Sequence, residues 1–296
     1  MVICALVVAI SLGDREPSYK GKRLSEWVEI YERDAEGEAR SADTPVCRAA
    51  VEAVRHMGDK VLPRALKLIR YEKPNWKNGV ERAMEHQLDV RSWCPVWIWH
   101  PFYGEPSNED LIYFQMLGPE ASAAVPELVR TINKGKARRF LAPVSDRAMY
   151  ALSCIGKEGL PPLMEMLPDP RSPYRRRAVY SIRDMNHQPE VALPASPLLI
   201  ECLNDTDSEV ASAAAMALGN LAMVADTSVR ALAASLQNPD DYVRRCAAKS
   251  LEKFRENARA AMPSLLNALR DPDDAVRRAV TNALEQIAPD ILEKSR

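Results

Sequence analysis

Glycine is scarce in this chain, 11 of 296 residues, which leaves little material for the Gly-rich loops that cradle phosphate. Aromatic residues make up only 6%, so a thick aromatic core is excluded and close helix contact through small side chains is favoured. No charge of one sign dominates: 40 Lys and Arg stand against 41 Asp and Glu, a formal net charge of -1. A balance of that kind gives no global attraction to nucleic acid or to an anionic membrane. The six cysteines, Cys4, Cys47, Cys94, Cys154, Cys202 and Cys246, show no short paired spacing, so no disulfide framework is implied. HExxH, nucleophile-elbow and P-loop patterns are all missing. His86, Cys94 and His100, with Asp89 between them, match no compact zinc module. No catalytic residue, metal or cofactor is therefore assigned.

No apolar run is long enough to span a bilayer. The longest opens the chain, "MVICALVVAISLG", at about 12 residues. That length suits the core of a signal peptide over residues 1–13, with Ser11 and Gly13 as small residues before a cut preceding Asp14. The basic segment that should precede such a core is missing, and a buried first element has the same composition. Export to the periplasm or outside the cell is the expectation, with a cytoplasmic location if the segment is not a signal.

What the sequence does contain is repetition. "VASAAAMAL", "VRRCAAKSL" and "VRRAVTNAL" begin at Val210, Val243 and Val276, a constant step of 33. "VCRAAVEAV" from Val46, "EDLIYFQML" from Glu109, "VSDRAMYAL" from Val144 and "YRRRAVYSI" from Tyr174 take the same register. Each carries a small or apolar residue four positions in and an aliphatic one eight positions in, which places both on one helical face. A second segment follows six times, as "LPRALKLI", "VPELVRTI", "LPPLMEML", "SPLLIECL", "VRALAASL" and "MPSLLNAL". Five of the six carry a proline, Pro63, Pro126, Pro161, Pro197 and Pro263, tolerated in a first turn where the missing N–H has no intrahelical acceptor. Turns such as "LNDTDSE", "LQNPDDY" and "LRDPDDA" place Asp or Ser to cap the next helix. The reading is an all-α solenoid of about seven helix pairs over residues 44–296, with a capping segment at 14–43.

The pattern at Leu269–Leu284, nearly repeated at Leu236–Leu251, resembles HEAT repeats of the type named after phycobilisome lyases. That resemblance implies helix pairs stacked in parallel layers, with second helices lining a concave face. It also implies a structural ladder of turn Asp and helix-start Arg, for which Asp241 with Arg244 and Asp274 with Arg277 are the candidates. The opening "EPSYKGKRLSEWVEIYERD" and the tryptophan-rich stretch are similar to those of uncharacterised exported bacterial HEAT proteins, which bring no known activity.

The register is violated once. From Val46 to Glu109 the step is 63, so about 30 residues are inserted, at roughly 71–107. The insertion holds four of the five tryptophans and the phrase "WCPVWIWHPFYGEP". Trp93, Trp97, Trp99, His100, Phe102 and Tyr103 are the candidate partner-binding residues, since Trp and Tyr are favoured anchors; the same tryptophans could instead cap the array. The expected function is a non-catalytic, monomeric scaffold that binds another protein through the concave face or the insertion. Neither nucleic-acid binding nor stable membrane insertion is expected. Two alternatives stay open: an enzyme on a HEAT-like scaffold, of chromophore-lyase or DNA-glycosylase type, and nucleic-acid binding through residues 134–184, where 11 basic residues face five acidic ones.

Overall fold

In the computed structural model the described residues are 16–35, 44–70, 109–137, 142–222 and 225–288. They form an all-α solenoid that divides into two compact units, residues 1–148 and 149–296.

The first unit opens with a two-stranded antiparallel hairpin, β1 (Ser18–Tyr19) and β2 (Lys22–Arg23). It leads into α1 (Leu24–Ala35), which packs on α2 (Pro45–Met57). The sequence reading anticipated no strand, because two residues are too few to show alternation. Trp27 donates its indole N–H to Tyr19 O at 3.1 Å, and Tyr19 lies against His56 with ring centroids 4.2 Å apart. Thr44 caps α2 by accepting from the Cys47 N–H at 3.0 Å, with Pro45 in the first turn. α3 (Leu62–Ile69) completes that pair, and α4 (Glu109–Leu117) with α5 (Val125–Ala137) forms the next. Two arginines satisfy helix-end carbonyls in this unit: Arg55 donates to Met116 O and Arg147 to Ile69 O, both at 3.0 Å.

The unit boundary falls inside α6 (Ala142–Ile155). The second unit continues with α7 (Leu160–Met164), α8 (Arg175–Arg183), α9 (Pro189–Ala192), α10 (Ser196–Cys202), α11 (Ser208–Asn220), α12 (Ala225–Ser235), α13 (Asp241–Phe254), α14 (Met262–Ala268) and α15 (Asp274–Ile287). First helices pack side by side in sequence order, α8 on α11 on α13 on α15. α10, α12 and α14 form a second row, each against the first helix that follows it. The three segments set 33 apart in sequence are the equivalent helices α11, α13 and α15 of neighbouring layers. Each starts on an aspartate: Asp207, Asp240 and Asp273 all accept backbone N–H bonds of the first turn.

The centre of the second unit is α11, whose Val210, Ala211, Ser212, Ala213, Ala214, Ala215, Ala217, Leu218 and Gly219 are all buried. Side chains this small let neighbours on both sides approach closely. A Cβ on Gly219 would lie 2.7 Å from the Ser250 Cβ of α13. At Gly159 a Cβ would run into the Leu152 carbonyl oxygen, so that turn folds tightly onto α6.

Candidate functional site

The second helices share one register, and its solvent-facing positions repeat. One position carries Leu66 and Val129 in the first unit, and Met164, Ile200, Ala233 and Leu266 in the second. Its neighbours one residue earlier, Ala65, Leu128, Leu163, Leu199, Leu232 and Leu265, are fully buried. The repeating core therefore lies immediately beneath this line. Leu66, Val129, Met164 and Ile200 are half-buried, Ala233 is buried, and Leu266 is 46% exposed. One residue further along stand Lys67, Arg130, Glu165, Glu201, Ala234 and Asn267, all exposed. Each unit thus presents aliphatic side chains in a line with a different edge: cationic in the first unit, and in the second carboxylate at α7 and α10 and neutral at α12 and α14.

In the first unit α3 and α5 are bridged across this face. Arg70 reaches Glu127 at 2.6 Å, and Arg130 pairs with the same carboxylate. On the other edge Arg64 meets Glu16 at 3.3 Å, and Glu16 also accepts from the Ser25 N–H and hydroxyl. Lys67 and Lys134 are exposed and have no partner among the described residues.

The first-helix side of the second unit is held by ion pairs. Arg244 donates from Nε to Asp271 Oδ2 at 2.7 Å and from Nη2 to Oδ1 at 2.9 Å. It also donates to the carbonyls of Asn238 and Pro239. Arg244 therefore reaches forward to the next turn and not back to Asp241, which is exposed to solvent at the helix start. Asp271 is the better partner because its carboxylate is already fixed by the Asp273 N–H at 2.9 Å. The two-pronged bond from Arg244 holds the Asp271 carboxyl below the usual range and raises the guanidinium. Arg175 makes the equivalent contact, 2.9 Å to Asp205, and its guanidinium also donates to the Cys202 sulfur. Arg277 pairs with Asp274 of its own helix and donates to the carbonyls of Asp271 and Pro272. Sequence spacing favoured the Asp three residues before each Arg. The Asp one layer ahead was visible only as part of the repeated turn "L.D".

Tyr180 of α8 and Tyr242 of α13 each carry an arginine over the ring, Arg183 at 4.6 Å and Arg245 at 4.8 Å. Between their helices Ser212 of α11 is fully buried.

Trp93, Trp97, Trp99, His100, Phe102 and Tyr103 lie outside the described residues, as do His86, Cys94 and the segment 1–15. Among the described residues no group of three His, Cys, Asp or Glu side chains could hold a metal ion. None of the described helices is long and apolar enough to cross a membrane. Cys47, Cys154, Cys202 and Cys246 are free and buried.

Residues 196–285 match the family model described as HEAT repeats. Among solved structures, a designed armadillo repeat protein is 17% identical with a TM-score of 0.45, over 76% of this chain and 99% of that one. The karyopherin Kap121p bound to Nup53p is 17% identical with a TM-score of 0.48, over 89% of this chain and 29% of the karyopherin. Human deoxyhypusine hydroxylase in complex with glycerol is 17% identical with a TM-score of 0.36, over 90% of this chain and 96% of that one. These likenesses speak to fold alone. No curated protein matches the chain.

Proposed function

Taking a HEAT-repeat solenoid as the premise, we propose that this protein is a non-catalytic scaffold that holds another protein on the faces of its second helices. The observation that carries the reading is the line of aliphatic side chains repeated at one solvent-facing register position, Leu66, Val129, Met164, Ile200 and Leu266. A repeat array needs its buried positions filled; it does not need an aliphatic residue at the next position outward. Recurring half-exposed anchors with polar edges are what a bound segment requires for both affinity and orientation.

The Trp-rich insertion belongs to the same proposal. Trp93, Trp97, Trp99, His100, Phe102 and Tyr103 supply anchors of the type that dominates binding energy. The chain is also proposed to be exported, on the strength of its first 13 residues, and to be related to the phycobilisome-lyase type of HEAT repeat through Leu236–Leu251 and Leu269–Leu284. Mass spectrometry of the protein from its host then finds a mature N-terminus near Asp14; a chain that retains Met1 removes the export proposal.

The binding reading is tested by affinity capture from the host, repeated with Ile200→Glu/Leu266→Glu and with Trp99→Ala. Each recovered partner is then purified and bound directly to the full chain. Loss of one partner with either variant, at an unchanged circular dichroism spectrum, supports the scaffold. Retention of every partner by both variants refutes it.

A further inference from the structure

Resting on that reading, we infer that the α3–α5 face of the first unit takes an acidic segment with aliphatic residues, presented by a partner protein. The exposed side chains of this face are Arg64, Lys67, Arg70, Arg130 and Lys134, and the carboxylates among them are Glu16 and Glu127. Five cations against two carboxylates leave an excess of three positive charges, in a chain whose overall charge is -1. The excess is therefore local and not a property of the composition.

The disposition of the two acids sharpens the point. Glu127 is taken up by both Arg70 and Arg130, and Glu16 by Arg64 and by Ser25. Glu127 ties the end of α3 to α5 through Arg70, and Glu16 holds Arg64 from the segment before β1, while Lys67 and Lys134 stand without a partner among the described residues. Between the charges lie Leu66 and Val129, half-buried and equivalent in register. A strand of nucleic acid would meet phosphate contacts here, but the centre of the face offers aliphatic side chains and no ring on which a base could stack. A peptide with leucine, isoleucine or valine between aspartates and glutamates satisfies both parts: its apolar residues cover Leu66 and Val129, and its carboxylates reach Lys67 and Lys134. The equivalent edge of the second unit carries Glu165 and Glu201, which repel such a peptide. Charge of opposite sign on the two faces thus selects where an acidic segment docks.

The test is selection from a random peptide library displayed on phage, against the full chain, followed by binding of the enriched synthetic peptides. Lys67→Glu/Arg130→Glu serves as one counter-selection and Ile200→Glu/Leu266→Glu as another. The expected result is enrichment of peptides that alternate acidic and aliphatic residues. Their affinity should fall with added salt and drop roughly tenfold with Lys67→Glu/Arg130→Glu, as for reversed charges at an interface. Lys67→Glu/Lys134→Glu, which leaves the Arg130–Glu127 pair intact, should act in the same direction. If the enriched peptides are basic or neutral, or depend on Ile200 and Leu266 alone, the acidic-partner inference falls while the scaffold stands. If an oligonucleotide of equal charge competes as well as the peptide, the inference falls too. If no peptide is enriched on either face, both are overturned.

Discussion

Gly219→Ala offers a test in which the sign of the effect decides. Gly219 lies in the last turn of α11, and it is not among the glycines with positive φ. At an unobstructed helical site alanine would stabilise by about 0.5–1 kcal/mol. Here a Cβ would stand 2.7 Å from both the Cβ and the Oγ of Ser250 and 2.9 Å from its Cα. Those atoms include backbone, so the clash cannot be relieved by rotating a side chain; α11 and α13 must separate. Overpacking of this kind costs about 1–3 kcal/mol, and the net expectation is destabilisation of about 1 kcal/mol or somewhat more. Urea denaturation followed by far-ultraviolet circular dichroism reads the change. Ser250→Gly, introduced into the Gly219→Ala chain, removes the opposing Cβ and should recover part of the loss, although glycine alone at 250 weakens α13. The pair is then coupled, as residues in contact are. A Gly219→Ala chain that is more stable than the parent refutes the close approach of the two helices.

The Arg244–Asp271 pair should show itself in acid. Because the Asp271 carboxyl is held below its usual value, its contribution is complete above the unfolded carboxylate range, near pH 4, and is lost as pH falls through the folded value. The stability gap between the parent and Asp271→Asn should therefore close toward acid; a gap that is constant with pH refutes the pair. At neutral pH Asp271→Ala should cost about 3 kcal/mol, the lower end for one partner of a buried pair, since Arg244 keeps two carbonyl acceptors. Thiol labelling is a third check. Burial pushes the Cys154 thiol up to about 12, and Cys47, Cys202 and Cys246 are also buried and raised. Iodoacetamide should modify all four only after denaturation, and rapid labelling of Cys154 in the native protein would contradict its burial.

Most of the fold was legible because repetition multiplies a faint signal. One "VRRCAAKSL" proves little, but the constant step at Val210, Val243 and Val276 locates α11, α13 and α15. The prolines at 63, 161, 197 and 263 mark second helices because only a first turn accepts them. The hairpin at residues 18–23 was not legible, being too short for any periodicity. The forward reach of Arg244 was also missed, since a helical spacing of three suggested Asp241. Only packing of successive layers brings Asp271 closer. The aliphatic line of the second helices was hidden for a different reason. In sequence Ile200 and Leu266 look like any other core position, and their exposure follows from the turn of the helix by one residue.

The forward contact makes each charged rung depend on two repeats at once. In four successive turns Asp169, Asp205, Asn238 and Asp271 accept the N–H two residues on. Asn238 keeps that turn bond but has lost the charge. Its counterpart one layer earlier, at the register position of Arg175 and Arg244, is Ala211, which is fully buried. The missing carboxylate and the missing guanidinium thus belong to the same rung. An arginine at 211 facing Asn238 would place a cation in a buried position without a carboxylate to meet it. One layer before Asp169 the same register position holds Ser145, also fully buried, so Asp169 serves its turn alone; the turn bond is the constant of the array, and the charged rung is an addition that needs two repeats at once.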